Sequence, residues 1–178
     1  MKLVDKIIFI FLFIITTYSI FQLKKYTSGT LFRDVKTRKC ATNMIENALN
    51  NKLFYQEVIK FFGINGFPTI KIKYKMTKLL PCVNYYPMFL YNNTEKVLGY
   101  VLPNYNKKHI FINAKYWYNL LLIDKASVLI HECTHLVLNT EDYAYEHDVH
   151  FLKLKSKKAL QNADTITQII TELSENKC

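Results

Sequence analysis

Between residues 131 and 135 the chain reads His-Glu-Cys-Thr-His, and this run constrains the fold more than any other stretch. Residues four apart share one face of an α-helix, so on a helix His131 and His135 can both reach one metal ion. Glu132 then lies beside that ion, where a carboxylate can take a proton from a water that the metal has acidified. The surroundings strengthen the motif. Four of the five histidines (His131, His135, His147 and His150) fall between residues 131 and 150, together with Glu141, Asp142, Glu146 and Asp148. The window reads as a metal site on a helix over 125–138, with Asp124 as its N-cap.

Two imidazoles do not complete a catalytic zinc site, which takes a third protein ligand and keeps a position open for water. The longer pattern H-E-x-x-H-x-x-G-x-x-H fails, because Leu138 stands at its glycine and Glu141 at its last histidine. No glutamate lies in the stretch after His150 from which a further helix would supply one. Asp142 is left, seven residues past His135, with Glu146 as the alternative third ligand. Cys133 reads as a small buried side chain, and His147 and His150 as solvent-facing or as partners of the ligands rather than ligands themselves.

The remaining residues must build a domain around that helix, and 178 are enough for one. Half of them are hydrophobic and 15% aromatic, which excludes extensive disorder, and four glycines with four prolines exclude a solenoid or collagen-like design. Apolar residues recur at helical spacing over 42–62, and the Gly- and Pro-containing stretch 63–68 stops that helix. Residues 69–75 alternate, with Ile70, Ile72 and Tyr74 on one side and lysines on the other, which predicts a strand. Short strands over 97–102 and 109–113 follow, separated by a turn at 103–106. Helices over 143–160 and 165–173 close the chain. One strand-containing layer against several helices predicts an α+β domain, mainly helical with a small sheet.

The formal charge of +10 comes from scattered lysines without a recognition-helix, RNP or finger pattern, so no nucleic-acid partner is expected. Residues 7–23 form an almost unbroken apolar run flanked by Lys2, Lys6, Lys24 and Lys25. They predict a signal peptide or signal-anchor helix within 1–25, a polar linker over 26–39 and a domain over 40–178. None of the four cysteines has C-x-x-C spacing, which excludes a zinc ribbon or a thioredoxin-like motif. Cys40 and Cys82 are the expected disulfide pair, and with the Asn92-Asn93-Thr94 sequon they favour export. The chain is thus expected in the secretory pathway, membrane-anchored through 7–23 or secreted after cleavage.

The H-E-x-x-H run followed by Thr140-Glu141-Asp142-Tyr143-Ala144-Tyr145 resembles the aspzincin signature, H-E-x-x-H and then G-T-x-D-x-x-Y-G. This is the signature of the deuterolysin-like and lysine-specific metalloendopeptidases. Asn162-Ala163-Asp164 resembles the family's asparagine-alanine-aspartate element, and Ile110-Phe111-Ile112-Asn113-Ala114 resembles the edge strand along which substrate lies. The resemblance implies a zincin-like fold and one Zn2+ on His131, His135 and Asp142. It implies Glu132 as general base, Tyr145 as a donor to the tetrahedral oxyanion, and Thr140 as support for the ligand turn. Asn113 would contact substrate, and Cys40–Cys82 resembles a disulfide position in the family. Asn139 and Glu146 replace the signature's two glycines, so the turn must tolerate side chains there. In lysine-specific members the residue at Asp164 and an acid three positions on form the pocket for a basic side chain. Thr167 occupies the second place, so half of that pocket is implied, and with it a preference for Lys at P1′. The activity expected is zinc-dependent hydrolysis of a protein or peptide substrate; the alternative is a catalytically silent, membrane-associated binding protein that keeps the fold.

Overall fold

The computed structural model describes residues 29–63, 69–94, 96–102, 108–175 and 177–178. The apolar run 7–23, the helix-stopping stretch at 64–68 and the turn at 103–106 lie outside the described residues. The chain divides into two compact units, 1–30 and 31–178. The second begins within the expected linker, because a helix is already under way at Val35, capped by Asp34, whose carboxylate accepts from the Thr37 N–H. Both disulfides and every buried core residue described lie in this second unit, so it carries what it needs to fold on its own.

The elements in order are β1 (Thr30–Phe32), α1 (Val35–Asn50), α2 (Phe54–Phe62), α3 (Thr69–Thr77), α4 (Leu79–Tyr85), β2 (Met88–Tyr91), β3 (Gly99–Val101), β4 (Ile110–Asn113), α5 (Ala114–Trp117), α6 (Leu122–Leu138), a 3-10 turn (Phe151–Lys153), α7 (Ser156–Leu160) and α8 (Ala163–Leu173). The domain is mainly helical, with one four-stranded mixed sheet in the order β1-β2-β4-β3. β4 runs parallel to β2 and antiparallel to β3. It is therefore an inner strand, buried along its length, and β3 takes the edge expected of residues 110–113. Helix α6 is the centrepiece and packs against α1, α4, α8 and the sheet.

Three expectations give way to packing. The single helix expected over 42–62 breaks at Asn51, whose side-chain oxygen accepts from the Leu53 N–H while its amide donates to the Leu173 carbonyl. Residues 69–77 are a helix, not a strand. Ile72, Met76 and Leu79 recur every three to four residues and are buried, whereas Ile70 and Tyr74 of the alternating set point outward. Residues 143–155 form an irregular loop, because side chains of the following segment hold their backbone in place of helical hydrogen bonds.

The expected Cys40–Cys82 bridge is not formed. Cys82 pairs with Cys133 and Cys40 with Cys178. Packing explains the exchange: Cys133 sits on the apolar face of α6, which lies against α4 and so against Cys82, at a Cα–Cα distance of 5.8 Å. The chain end returns to α1, where Cys178 reaches Cys40. Two disulfides fit folding in an oxidising compartment. Among the described residues no helix is long and apolar enough to cross a membrane.

Candidate metal centre

Helix α6 turns Ala126, Leu129, Ile130 and Cys133 into the core, which leaves His131 and His135 on the other side, half-buried. Its first turn starts at Leu122 with Leu121 as N-cap, so Asp124 lies inside the helix, where its charge favours the N-terminal dipole. The helix ends because Asn139 adopts a left-handed backbone, φ 54°, which asparagine tolerates better than most residues with a side chain. That answers how the turn accommodates a side chain at the first glycine of the signature. The reversal brings Thr140 and Asp142 back beside the histidines.

The returning loop is clasped from α8. The Asn162 side chain, fully buried, accepts from the Tyr143 and Ala144 N–H groups and donates to the Ala144 carbonyl. Glu141 forms a short parallel bridge with Asn162. The Asp164 carboxylate accepts from the Glu146 N–H at 2.8 Å.

The outcome is a triangle of donors. His131 Nε2 and His135 Nε2 lie 3.2 Å apart, and Asp142 Oδ1 lies 3.2 Å from the first and 3.3 Å from the second. A tetrahedral zinc with bonds of roughly 2.0 Å requires ligand–ligand edges of roughly 3.3 Å. The other ring nitrogens are already engaged: His131 Nδ1 on Asp164 Oδ1 at 3.0 Å, and His135 Nδ1 on the Thr140 carbonyl at 2.8 Å. Such partners fix the rings and leave the Nε2 lone pairs for a metal. The donor set fits Zn2+. Among the described residues no other group of His, Cys, Asp and Glu is arranged to hold an ion, and Glu146, His147 and His150 are not part of this one.

The site's electrostatics call for positive charge. Burial works against a charged His131, but its hydrogen bonds to Asp142 and Asp164 prevail and push its pKa up to about 10. His135 is shifted the same way against the same burial, by Asp142 and the Thr140 carbonyl. Burial opposes ionisation of Asp142, yet the two histidines hold it well below the usual carboxylate range. A cavity wall that binds protons this firmly offers a divalent cation the same attraction.

Glu132 is 4% exposed and has no hydrogen-bond partner among the described residues; burial pushes its pKa up, with the two histidines opposing. It fits under the sheet because position 99 is glycine. A Cβ there would stand 3.0 Å from Glu132 Oε1 and 3.2 Å from the Phe111 carbonyl oxygen. Gly99 went unnoticed in the sequence, although a lone glycine inside a strand is a signal of close approach. In front of Glu132 opens a cleft of about 680 Å3, bounded by residues 96–99, helices α6 and α8, and residues 145–147. Tyr145 lines it; burial and then the Asp142 carboxylate raise its pKa. His147 stacks parallel on Tyr145 at 5.8 Å between ring centroids.

Of the residues expected to bind substrate, Asp164 and Thr167 line the cleft. Both are engaged: Asp164 as described, and Thr167 through its hydroxyl, which donates to the Ala163 carbonyl. Asn162 is the N-cap of α8. Asn113 does not face the cleft. It is fully buried, and its side chain accepts from the Asn93 and Lys115 N–H groups and donates to the Asn93 and Val97 carbonyls. It thereby holds the loop that carries Val97, Leu98 and Gly99 into the cleft wall, a task for an inner strand rather than an edge.

What fold and site define together is a class, the metallopeptidases that carry their ion on an H-E-x-x-H helix. Comparison with known proteins narrows it. Residues 69–168 match the aspzincin M35 family, described as lysine-specific metallo-endopeptidase, and the chain belongs to that family: it is a metallo-endopeptidase, a hydrolase. In fold it is similar to the solved structure of a zinc peptidase from Grifola frondosa, with a TM-score of 0.60 and 19% identity, over 76% of this chain and 90% of that one. No curated protein matches it in sequence.

Proposed function

We propose that the chain is an active zinc endopeptidase in which His131, His135 and Asp142 hold the ion and Glu132 is the general base. The observation that carries this reading is the donor triangle, with edges of 3.2–3.3 Å, beside a buried glutamate with no hydrogen-bond partner among the described residues. When bound, zinc supplies a Lewis acid that polarises the scissile carbonyl and lowers the pKa of water to about 7. Glu132 takes the proton of the attacking water and passes it to the leaving amine. Its raised pKa brings it nearer the working range of an acid–base group, and Gly99 leaves its carboxylate free to face the cleft. The Tyr145 hydroxyl donates to the developing oxyanion, an effect worth about 3 kcal/mol for one well-placed donor. Asp164 and Thr140 orient the two imidazoles through their Nδ1 atoms.

A preference for Lys at P1′ rests on Asp164 in the cleft wall, with Asp124 and Glu146 lining the same cleft. Asp164 already accepts two hydrogen bonds and Thr167 adds no charge, so the preference is expected to be about fivefold at most, the worth of one solvent-shared ion pair. Paired peptides with Lys or Leu at P1′ test it, and equal cleavage rates sink it. The disulfides, the sequon and the apolar run 7–23 support an exported domain, anchored or released.

The decisive assay runs 31–178 on an unstructured protein with zinc, with chelator, and as Glu132→Gln. Cleavage should stop with chelator and fall roughly 10²–10⁴-fold in the variant, while the variant keeps its zinc. Cleavage undiminished in Glu132→Gln would refute the assignment.

A further inference from the structure

Helix α3 carries apolar side chains on two faces. Ile72 and Met76 enter the core, whereas Ile70 and Tyr74 remain 82% and 60% exposed. Lys71, Lys75 and Lys78 are spaced four and three residues apart and so form one line beside that exposed pair. Lys78 Nζ lies 4.5 Å over the Tyr74 ring, which joins the charged line and the apolar strip into a single patch. Burial, and then the charges of Lys71 and Lys78, hold Lys75 below the usual lysine range. No acidic residue occurs between 58 and 94. Helix α3 packs on α1, α2 and α4, and none of its residues lines the cleft.

A soluble polyanion would engage the lysines and leave Ile70 and Tyr74 in water. A bilayer with anionic headgroups uses both, because ammonium groups pair with phosphates and carboxylates while aliphatic and tyrosine side chains enter the interfacial layer. The apolar run 7–23 makes a membrane a surface this chain is expected to meet. We propose that α3 docks the domain on an anionic lipid surface, with Lys71, Lys75 and Lys78 on headgroups and Ile70 and Tyr74 in the interface. Since α3 lines no part of the cleft, the docked domain keeps its site open to substrate.

The test sediments 31–178, oxidised and verified by circular dichroism, with phosphatidylcholine vesicles that contain or lack phosphatidylserine. Binding should require phosphatidylserine and weaken in high salt. Lys71→Gln/Lys75→Gln/Lys78→Gln should lower partitioning roughly a hundredfold, at about fivefold per lysine near the surface. Ile70→Gln/Tyr74→Gln, which keeps every charge, should lower it roughly tenfold. The control Lys155→Gln/Lys157→Gln/Lys158→Gln removes as much charge around α7 and should lower it far less. The proposal is overturned by equal loss in that control, by full binding of the Ile70/Tyr74 variant, or by indifference of the wild type to phosphatidylserine.

Discussion

Between residues 31 and 94 ten basic side chains stand against three acidic ones; between 120 and 150 six acidic side chains stand against one lysine. The interiors differ as well. The first region buries Thr37 as its one polar side chain in the described core, whereas Glu132, Thr134, Thr140, Asn162, Thr165 and Thr167 are all buried from 132 onward. One region is therefore a helical wall stabilised by apolar burial, and the other uses buried volume for hydrogen bonds that fix three donors around a point. A network of that kind stabilises less per residue than an apolar core and depends on every member being satisfied. Its counterpart supplies what it lacks, across the α1–α6 and α4–α6 contacts and through Cys82–Cys133, which ties α6, between its two histidines, to the basic half.

The contrast breaks hardest at the donor triangle. Asp142→Ala should cost roughly a thousandfold or more in zinc affinity, beyond the ten- to hundredfold typical of partners that only orient a ligand. Far-ultraviolet circular dichroism should hardly change, because the helical wall does not depend on Asp142. Zinc affinity left intact would transfer the third place to Glu146.

Next comes the tie between the halves. Replacing Cys82 and Cys133 by serine opens a loop with a separation of 51 residues. That should lower stability by about 4 kcal/mol on the chain-entropy account. Urea midpoints of the two proteins measure it, and a loss below about 1 kcal/mol would mean that packing alone holds the halves together. Gly99→Ala is milder and sharper. Its methyl group meets Glu132 Oε1 at 3.0 Å, so the base must give way by a few tenths of an ångström, and since a full ångström costs about a hundredfold, kcat should fall several-fold. Zinc affinity should stay as it was; an unchanged kcat would mean that Glu132 has room to spare.

The two regions were also unequally legible in the sequence. The acidic one announces itself, because metal chemistry demands particular residue types at helical spacing, and His131, His135 and Asp142 converge as that logic requires. The basic one was misread at 69–75, where strict alternation of Ile and Tyr with Lys mimics a strand. Burial of Ile72 and Met76 decided for a helix, and no local pattern reports which residues a neighbouring helix will cover. The disulfides failed for the same reason: pairing follows how α4 and α6 pack, and four cysteines allow three pairings. Asn113 reads as a site residue from its place in a motif, yet only the strand order puts it inside the sheet.

The last test concerns the charge of the metal-free site. His131 has an ordinary pKa of 6.5, and the folded domain raises it to about 10. A raised pKa stabilises the fold fully below the ordinary value and loses that contribution as pH climbs through the raised one. His135 and Glu132 are shifted upward too and act in the same direction, whereas the depressed Asp142 loses its contribution only as pH falls toward strong acid. The urea midpoint of chelated 31–178 should therefore fall between pH 6.5 and about 10. Zinc needs the Nε2 lone pairs that those protons occupy, so the zinc-loaded domain should change the other way, with binding tightening as the protons leave. A chelated midpoint that rises with pH would mean neutral imidazoles in the empty triangle, and the carboxylates around them would then be arranged for the metal alone.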